Sequence, residues 1–226
     1  MAMLAMFPLG AVLLPGAVMP LHVFEPRYRA LVQDCLRAEV PEFGVVMIQR
    51  GSEVGGGDQR SSVGTVAQIV QVAAMDDGRY LVVCVGTRRI RVSAWLPDDP
   101  YPLADVDDWP DEGPGDEPDV EPDGPALTEQ VHQMRARVRR ACALANELGD
   151  AVLAGTDELS ADPVLASYQL AALAPIGPAD IYTLLRASGA PARLALLAEV
   201  MDDLDARQQF RLAASDDPDF GLPSPQ

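Results

Sequence analysis

The stretch that decides the fold is residues 7–36, FPLGAVLLPGAVMPLHVFEPRYRALVQDCL. It holds two apolar segments on either side of Pro15 and Gly16, and Pro-Gly between apolar runs is typical of a turn. Because proline fixes φ and lacks an N–H, the recurring prolines exclude one continuous helix. From Pro26 onward the apolar residues recur at helical spacing. The stretch therefore predicts two extended segments and then a helix whose apolar face carries Tyr28, Leu31, Val32, Cys35 and Leu36.

The composition excludes several classes of chemistry. The 226 residues carry a formal net charge of −17, which disfavours nucleic acid and anionic membranes as partners. The chain contains no lysine, so these residues hold no P-loop lysine, no Schiff-base lysine and no Ser-Lys dyad. Its 3 cysteines are widely spaced, which argues against a zinc site and a disulfide framework and favours a reducing compartment. We therefore expect a cytoplasmic protein without a cofactor or a metal.

The uncharged N-terminal stretch raises the question of targeting. No lysine or arginine precedes Arg27, and Pro8, Pro15 and Pro20 interrupt the apolar run. A secretory signal needs a basic start and an unbroken apolar run, and a spanning helix needs about 20 apolar residues. We expect neither a signal nor a membrane anchor.

Short apolar runs between turn signals predict strands in the first half of the chain. They cover residues 43–49, 63–73, 80–85 and 88–95, with a Gly- and Ser-rich loop at 50–62 and a turn at 76–78. Gly86 is expected to separate the last two strands. Arginines alternate with Ile90 and Val92 in the final run, which predicts a strand with one solvent-facing side.

These strands carry a family resemblance. The run FPL…LLPG…MPLHVFEPRYRALV resembles the start of the N-terminal, substrate-binding domain of Lon proteases, which has a PUA-like fold. A second block, VGTVAQIVQV followed by DGRYLVVCVGTRRIRV, is similar to later strands of the same domain and occurs in the same order. The resemblance implies an α+β protein, in which a PUA-like, mostly antiparallel β pseudo-barrel precedes a C-terminal helical bundle. It also implies one more edge strand over residues 103–109.

The second half of the chain predicts a linker and then helices. Residues 97–125 are rich in proline and acidic residues and contain no basic residue, which is typical of a solvated segment. We predict a β-rich domain over 1–110, an acidic linker over 111–125, a helical subdomain over 126–214 and a disordered tail over 215–226. A partner-binding role is the alternative for the linker.

Apolar stripes define the predicted helices. The first stripe comprises Leu127, Val131, Met134, Val138, Cys142, Ala145 and Leu148. Asp162 and Pro163 predict the start of a helix that ends near Leu173, because aspartate caps helices and proline suits the first turn. A short helix follows over 178–187, and a last one begins at Pro191 with the stripe Leu194, Leu197, Met201 and Leu204.

The candidate peptide-contact residues lie where the predicted second strand meets the first helix. They are His22, Phe24, Glu25, Arg27 and Tyr28. A structural interpretation stands beside the functional one for three of them: His22 as a satisfied structural histidine, Glu25 as a helix cap and Tyr28 as a core anchor. We predict no catalytic, cofactor-binding or metal-binding residue, since no G-x-S-x-G elbow or spaced cation-binding loop is present.

Two further features have simple interpretations. Arg135, Arg137, Arg139 and Arg140 are expected to form a solvated helix face paired with carboxylates, although docking of the acidic linker on them is a second hypothesis. The three cysteines lie on apolar stripes and are expected to behave as small hydrophobes.

The resemblance implies a module that binds polypeptide without cutting it. Full-length Lon proteases continue into ATPase and Ser-Lys protease domains, whereas this chain is expected to stand alone as an adaptor in protein quality control. Its expected partners are polypeptide substrates, a protease or a chaperone, held by strand addition or side-chain pockets. The alternatives are a small-molecule-binding or regulatory domain and, more remotely, an ATP-independent peptidase that uses His22.

Overall fold

The computed structural model describes residues 2–50, 59–112, 125–150 and 158–216. Within these ranges the first half of the chain forms the strands β1 (Ala2–Leu9), β2 (Val18–Val23), β3 (Glu42–Arg50), β4 (Gln59–Ala74), β5 (Tyr80–Leu96) and β6 (Leu103–Asp108). The helix α1 (Pro26–Cys35) follows β2, and the second half contains α2 (Pro125–Glu147), α3 (Pro163–Leu173), α4 (Pro178–Leu185) and α5 (Ala190–Asp216). The α+β class, with strands first and helices last, is confirmed.

The strands form one mostly antiparallel sheet that closes into a barrel. Its order is β2-β5-β4-β3-β1-β6, and β6 also pairs with β5. Only β1 and β3 run parallel. The prediction that residues 103–109 form an edge strand is therefore wrong, because β6 pairs with β1 on one side and with β5 on the other.

β5 runs without a break through Gly86, contrary to the prediction of two strands. A Cβ at this position would lie 2.2 Å from the carbonyl oxygen of Leu14, so glycine permits the 10–17 segment to cross the strand closely. The Gly86 N–H donates to Ala17 O at 2.9 Å, and its carbonyl accepts from Gly16 N at 2.8 Å. Gly16 itself has φ 76, as the predicted turn requires.

β4 also begins earlier than predicted. The expected loop over 50–62 ends by Gln59, and residues 51–58 lie outside the described residues. Ser61 is buried in the strand, where its hydroxyl accepts from the Met47 N–H at 3.1 Å and donates to Val63 O at 3.0 Å. These hydrogen bonds satisfy a polar side chain inside the barrel wall.

Helix α1 fills one end of the barrel. Its buried residues Tyr28, Leu31, Val32 and Cys35 belong to a cluster with inward-facing strand residues such as Phe43, Val45, Ile69 and Val82. Leu36 was predicted on the same face but is 43% exposed, because the helix ends at Cys35 and Leu36 is its C-cap. The other four residues predicted for this apolar face are buried, as expected.

The helices α2 to α5 form a second core. The predicted stripes of α2 and α5 are buried, although Cys142 and Leu148 are only half-buried. Asp162 caps α3 as predicted, since its side chain accepts from the Val164 N–H at 2.9 Å. α5 continues to Asp216, so residues 215 and 216 are helical and the remainder of the predicted tail lies outside the described residues.

The barrel and the helices meet at a buried charged cluster, the Asp111 junction, formed by Arg89, Asp111, Ser167, Tyr168 and Arg193. Arg89 is only 3% exposed, although the alternation in β5 predicted its side chain in solvent. It donates to Leu185 O at 2.8 Å, to Ala187 O at 2.5 Å and to Trp109 O at 3.0 Å, and its Nη2 lies 2.9 Å from Asp111 Oδ1. Arg89 thereby ties β5 to the end of α4.

The opposite half of the Asp111 junction comes from the helices. Arg193 of α5 is fully buried and donates to both Asp111 carboxylate oxygens, at 2.7 and 2.9 Å, and to Ser167 Oγ at 2.7 Å. The Tyr168 hydroxyl donates to Asp111 Oδ1 at 2.6 Å. Asp111 was predicted in the linker over 111–125 but is a junction residue, and Pro125 is the first residue of α2. Residues 113–124 of that linker lie outside the described residues.

The three cysteine thiols allow the predicted burial in the two cores to be tested. Burial raises the pKa of Cys35 to about 11 and that of Cys84 to about 12, whereas Cys142 is only half-buried. Because the thiolate is the reactive form, we expect a thiol reagent at about pH 8 to modify Cys142 first and the other two only after unfolding. Since burial raises both pKa values above the unfolded value of 9.0, the contribution of the protonated thiols to the free energy of unfolding is fully present below about pH 9 and is lost as the pH rises through about 11 for Cys35 and about 12 for Cys84. Equally fast modification of all three thiols in the native protein would contradict these positions.

Candidate functional site

β1 and β2 do not pair with each other in the described structure, and the barrel wall stays open between them. β6 covers β1 only at Ala2–Ala5, and it pairs with β5 only from Ile90 onward. Where β6 is absent, the sheet ends at β1 on one side and at β2 on the other. A cleft of about 170 Å³ lies here, the β1–β2 cleft, lined by Phe7, Leu9, Pro20, Leu21, His22, Val23, Phe24, Glu25 and Tyr28.

Four of the five candidate contact residues line this cleft: His22, Phe24, Glu25 and Tyr28. Phe24 stands at its mouth and is 51% exposed, which is unusual for a phenylalanine beside an apolar cavity. His22 is exposed as well, with its ring centroid 6.0 Å from that of Phe24. The expected buried setting of a structural histidine is therefore not what the structure shows.

Tyr28 forms the floor of the cleft. Its ring is 3% exposed and stacks on Phe7 with centroids 3.9 Å apart and an interplanar angle of 9°. The guanidinium of Arg27 lies over the same ring at 4.5 Å. The ring stack and the cation–π contact together hold the ring in place, as expected for the core anchor.

Glu25 does not cap α1 with its side chain, contrary to the prediction. The residue occupies the N-cap position with extended backbone, but its carboxylate makes no cap hydrogen bond. It accepts instead from Arg27 Nε at 3.0 Å, and both side chains are partly buried. Pro26 suits the first helical position, where no N–H is needed within the helix, and the Glu25 carboxylate pairs with Arg27 and does not accept from the helix backbone.

An uncharged apolar surface continues from the cleft across β2 and β5. The register pairs Val18 with Val85, Pro20 with Val83 and His22 with Leu81, and partners in a sheet share one face. These residues define the β2–β5 face: Val18, Pro20, His22, Leu81, Val83 and Val85. None of them is acidic, lysine or arginine, although the chain as a whole carries a formal charge of −17.

Phe7 and Leu9 line the cleft but were not predicted as site residues, and neither were the members of the β2–β5 face on β5. The sequence does contain one indication that the β5 residues form an apolar outer face. The run at 80–85 is apolar on both faces, whereas a strand of a closed barrel needs apolar residues only towards the core. Phe7 and Leu9 line the cleft only because the sheet closes, so no local sequence pattern indicates this role.

No serine, threonine or cysteine is among the residues that line the cleft. Across the described ranges, no group of three or more histidine, cysteine, aspartate or glutamate side chains is placed to hold a metal ion. No described helix combines the length and the apolarity needed to cross a membrane.

The arginine-rich face of α2 takes part in packing. Arg137 donates to Ala198 O at 3.1 Å and to Asp205 Oδ2 at 2.8 Å on α5, and it also pairs with Asp202. Arg139 and Arg140 are exposed. The predicted pairing of this face with carboxylates is therefore found at Arg137, and docking of the acidic linker concerns residues outside the described ranges.

Comparison with known proteins shows which family has this architecture. Residues 3–203 match the family model of the ATP-dependent protease La (LON) substrate-binding domain. The chain belongs to this family. The match of the LON substrate-binding domain includes the barrel from Met3 onward, α1 to α4, the first half of α5 and every residue of the β1–β2 cleft.

Relatives of this LON substrate-binding domain include Lon proteases. The chain is 34% identical over 122 residues to a Lon protease of Anaeromyxobacter dehalogenans and 31% identical over 144 residues to Lon protease 2 of Myxococcus xanthus. These alignments cover 53% and 63% of this chain but only 14% and 17% of the relatives. The chain thus spans less than a fifth of the length of either protease.

Solved structures agree with the LON substrate-binding domain assignment. A Lon N-terminal domain protein from Xanthomonas campestris is 26% identical with a TM-score of 0.59, covering 88% of this chain and 98% of that one. The N-terminal domain of a Mycobacterium avium complex Lon protease shares the fold, with a TM-score of 0.58 at 18% identity and coverage of 89% and 99%. The predicted family is confirmed by the family-model match, and the two solved structures share the fold.

Proposed function

We propose that this LON substrate-binding domain holds extended polypeptide segments at the β1–β2 cleft without cutting them, and that it delivers them to a protease or chaperone as an adaptor. The observation that carries the proposal is Phe24, which is 51% exposed at the mouth of an apolar cleft between two strands that do not pair. An exposed aromatic side chain beside a cavity is typical of a binding surface. Its three free cysteines support a reducing compartment, which we take to be the cytoplasm.

The size of the cleft suits one apolar side chain of a client. Its volume is about 170 Å³, and aromatic rings of Phe7, Phe24 and Tyr28 line it. Burial of a large apolar side chain contributes about 1.5 to 3 kcal/mol, and aromatic pairing adds about 1 kcal/mol. One anchored side chain therefore supports weak, reversible binding, which suits a module that must release its client.

Charge defines the class of client further. The β2–β5 face next to the cleft carries no formal charge, while the chain as a whole carries −17. Such a field repels acidic segments and favours neutral or basic ones, most strongly at low ionic strength. We therefore expect apolar segments with neutral or basic flanks to bind best.

A small-molecule site has less support. The depression at the boundary between barrel and helices, about 330 Å³ in volume, is widely open to solvent. Two of the residues that line it, Arg89 and Asp111, are engaged with each other in the Asp111 junction. Ligand sites for small molecules are usually more enclosed.

Phe24 provides the direct test. The probe is a fluorescein-labelled ten-residue peptide with one central phenylalanine, flanked by serine and valine and ending in arginine. We expect Phe24→Asp to weaken its binding at least about tenfold, because a charge replaces an apolar contact at the mouth. Fluorescence anisotropy measures the dissociation constant.

The matched control is Phe210→Asp. Phe210 is 69% exposed on α5, away from the cleft, so the same substitution there changes charge and surface apolarity equally. We expect this variant to bind the probe within about twofold of the wild type. Equal losses in both variants, or no binding of the probe to the wild type, would contradict the proposal.

A further inference from the structure

A second cavity lies among the helices and shares no lining residue with the β1–β2 cleft. This Gln208 cavity has a volume of about 540 Å³ and lies between α2, α5 and the 175–180 segment that leads into α4. One face of α5 forms a side of it, because Leu204, Arg207, Gln208 and Arg211 recur at helical spacing.

Gln208 occupies a position that belongs to the helical core. The apolar stripe of α5 that includes Leu204 continues at Gln208, which is only 1% exposed. Its Nε2 donates to Ala141 O on α2 at 3.1 Å, whereas its Oε1 is buried and has no hydrogen-bond partner among the described residues. A buried acceptor without a partner costs free energy, so this oxygen calls for a donor from outside the described chain.

Two charged side chains of opposite sign at the cavity are also unengaged. No hydrogen bond or ion pair joins the side chain of Arg207 on α5, or that of Asp180 on α4, to another described residue. The other charged residues of the lining, Asp150 and Arg211, pair with each other at 2.6 Å. The depression between barrel and helices differs in this respect, because its charged residues are engaged with one another.

The three unengaged groups select a ligand by charge and hydrogen bonding. Gln208 Oε1 and the Asp180 carboxylate are acceptors and suit an ammonium group, while the Arg207 guanidinium suits a carboxylate. A purely anionic ligand would leave Asp180 unpaired and facing a like charge, and a purely cationic one would do the same at Arg207. A ligand that carries both charges satisfies all three groups.

The size of the Gln208 cavity and its apolar wall favour a short peptide. Its volume of about 540 Å³ is about three times the 170 Å³ of the β1–β2 cleft, which suits one apolar side chain. Ala145, Pro175, Ile176 and Leu204 supply apolar surface for a side chain of the ligand.

We propose that the Gln208 cavity binds a short zwitterionic peptide, whose ammonium group donates to Gln208 Oε1 and Asp180 and whose carboxylate pairs with Arg207. The site is separate from the β1–β2 cleft and does not depend on the proposed function. A free amino acid carries the same two charges, so the two ligands share their recognition chemistry and differ in length.

Calorimetric titration of the full chain with the dipeptide alanyl-leucine tests the ligand class. The N-acetylated dipeptide lacks the ammonium group, and the dipeptide amide lacks the carboxylate. We expect each derivative to bind at least about tenfold more weakly than the parent, because each loses a charge-assisted hydrogen bond. Free leucine distinguishes the sources: weaker binding identifies the peptide as the ligand, and equal or tighter binding identifies the amino acid.

Gln208→Met tests the buried acceptor. Methionine has nearly the shape of glutamine but only a weak acceptor, so we expect the dipeptide to bind at least about tenfold more weakly. The thermal midpoint is expected to stay the same or to rise, because no buried oxygen is then left without a partner. A glutamine with a merely structural role would give the opposite result, with unchanged dipeptide binding and a lower midpoint.

Arg207→Gln tests the carboxylate contact, and Arg140→Gln is its matched control. Both arginines are exposed, but Arg140 lies on α2 and does not line the cavity. We expect Arg207→Gln to weaken dipeptide binding about tenfold and to leave binding of the dipeptide amide unchanged. Arg140→Gln, which changes the net charge equally, is expected to bind the dipeptide within about twofold of the wild type.

Three results would contradict the inference. If neither alanyl-leucine nor leucine binds the wild type, the cavity holds water alone at Gln208 Oε1. Equal binding of the dipeptide and both derivatives would exclude recognition of a zwitterion. Equal losses in Arg207→Gln and Arg140→Gln would exclude a specific contact at Arg207. None of these results bears on the proposed function, which Phe24→Asp tests separately.

Discussion

Replacement of Asp111 by alanine is expected to reduce the free energy of unfolding by about 3 to 5 kcal/mol, because it leaves two buried guanidinium groups without their shared carboxylate. Asp111 pairs with Arg193 at 2.7 Å and with Arg89 at 2.9 Å, and both arginines are at most 3% exposed. For a chain of this length the thermal midpoint should fall by about 10 °C. Thermal and urea unfolding followed by circular dichroism measure the change.

The control for this effect is Asp108→Ala, three residues earlier in the chain. Asp108 pairs with Arg88 at 2.9 Å, but its side chain is 66% exposed. Exposed ion pairs contribute less than about 1 kcal/mol because solvent screens them. Equal destabilisation by the two variants would show that the Asp111 junction does not hold the barrel and the helices together.

The second large effect is expected at Tyr28. Its ring is 3% exposed and stacks on Phe7 at 3.9 Å, so Tyr28→Ala leaves a cavity between α1 and the barrel. Loss of a buried aromatic side chain costs about 3 to 5 kcal/mol. Urea unfolding measures the loss.

Phe24→Ala is the matched variant, since Phe24 belongs to the same motif but is 51% exposed. We expect its free energy of unfolding to stay within about 0.5 kcal/mol of the wild type, while the probe peptide binds more weakly. This pair distinguishes the residue that supports the cleft from the residue that contacts the client. A stable Tyr28→Ala protein would contradict the structural role of that ring.

Local sequence patterns determined much of the fold. The spacing of Tyr28, Leu31, Val32 and Cys35 identified α1, and the stripes of α2 and α5 identified the helical core. Asp162 identified the start of α3, because a cap acts on backbone groups two residues away. These patterns succeed because helix faces, caps and turns depend on neighbours within a few residues.

The local sequence patterns gave wrong predictions where segments that are far apart in the chain meet. Arg89 and Arg91 occupy the same alternating run, yet Arg89 is buried against α4 and Asp111, while Arg91 is exposed beside Trp109. Gly86 resembled a strand end but permits the close crossing of the 10–17 segment. Neither the burial of Arg89 nor the close crossing at Gly86 can be predicted from the residues next to them in the sequence.

The sequence by itself determined the family, the order of strands and helices, and the position of His22 and Phe24 where the second strand meets the first helix. Only the tertiary structure decided that β6 closes the barrel at one end and leaves β1 and β2 apart at the other. The β1–β2 cleft and the Asp111 junction follow from that closure. The physical reason is that a closed sheet is fixed by pairings between residues far apart in the chain, and no local periodicity encodes them.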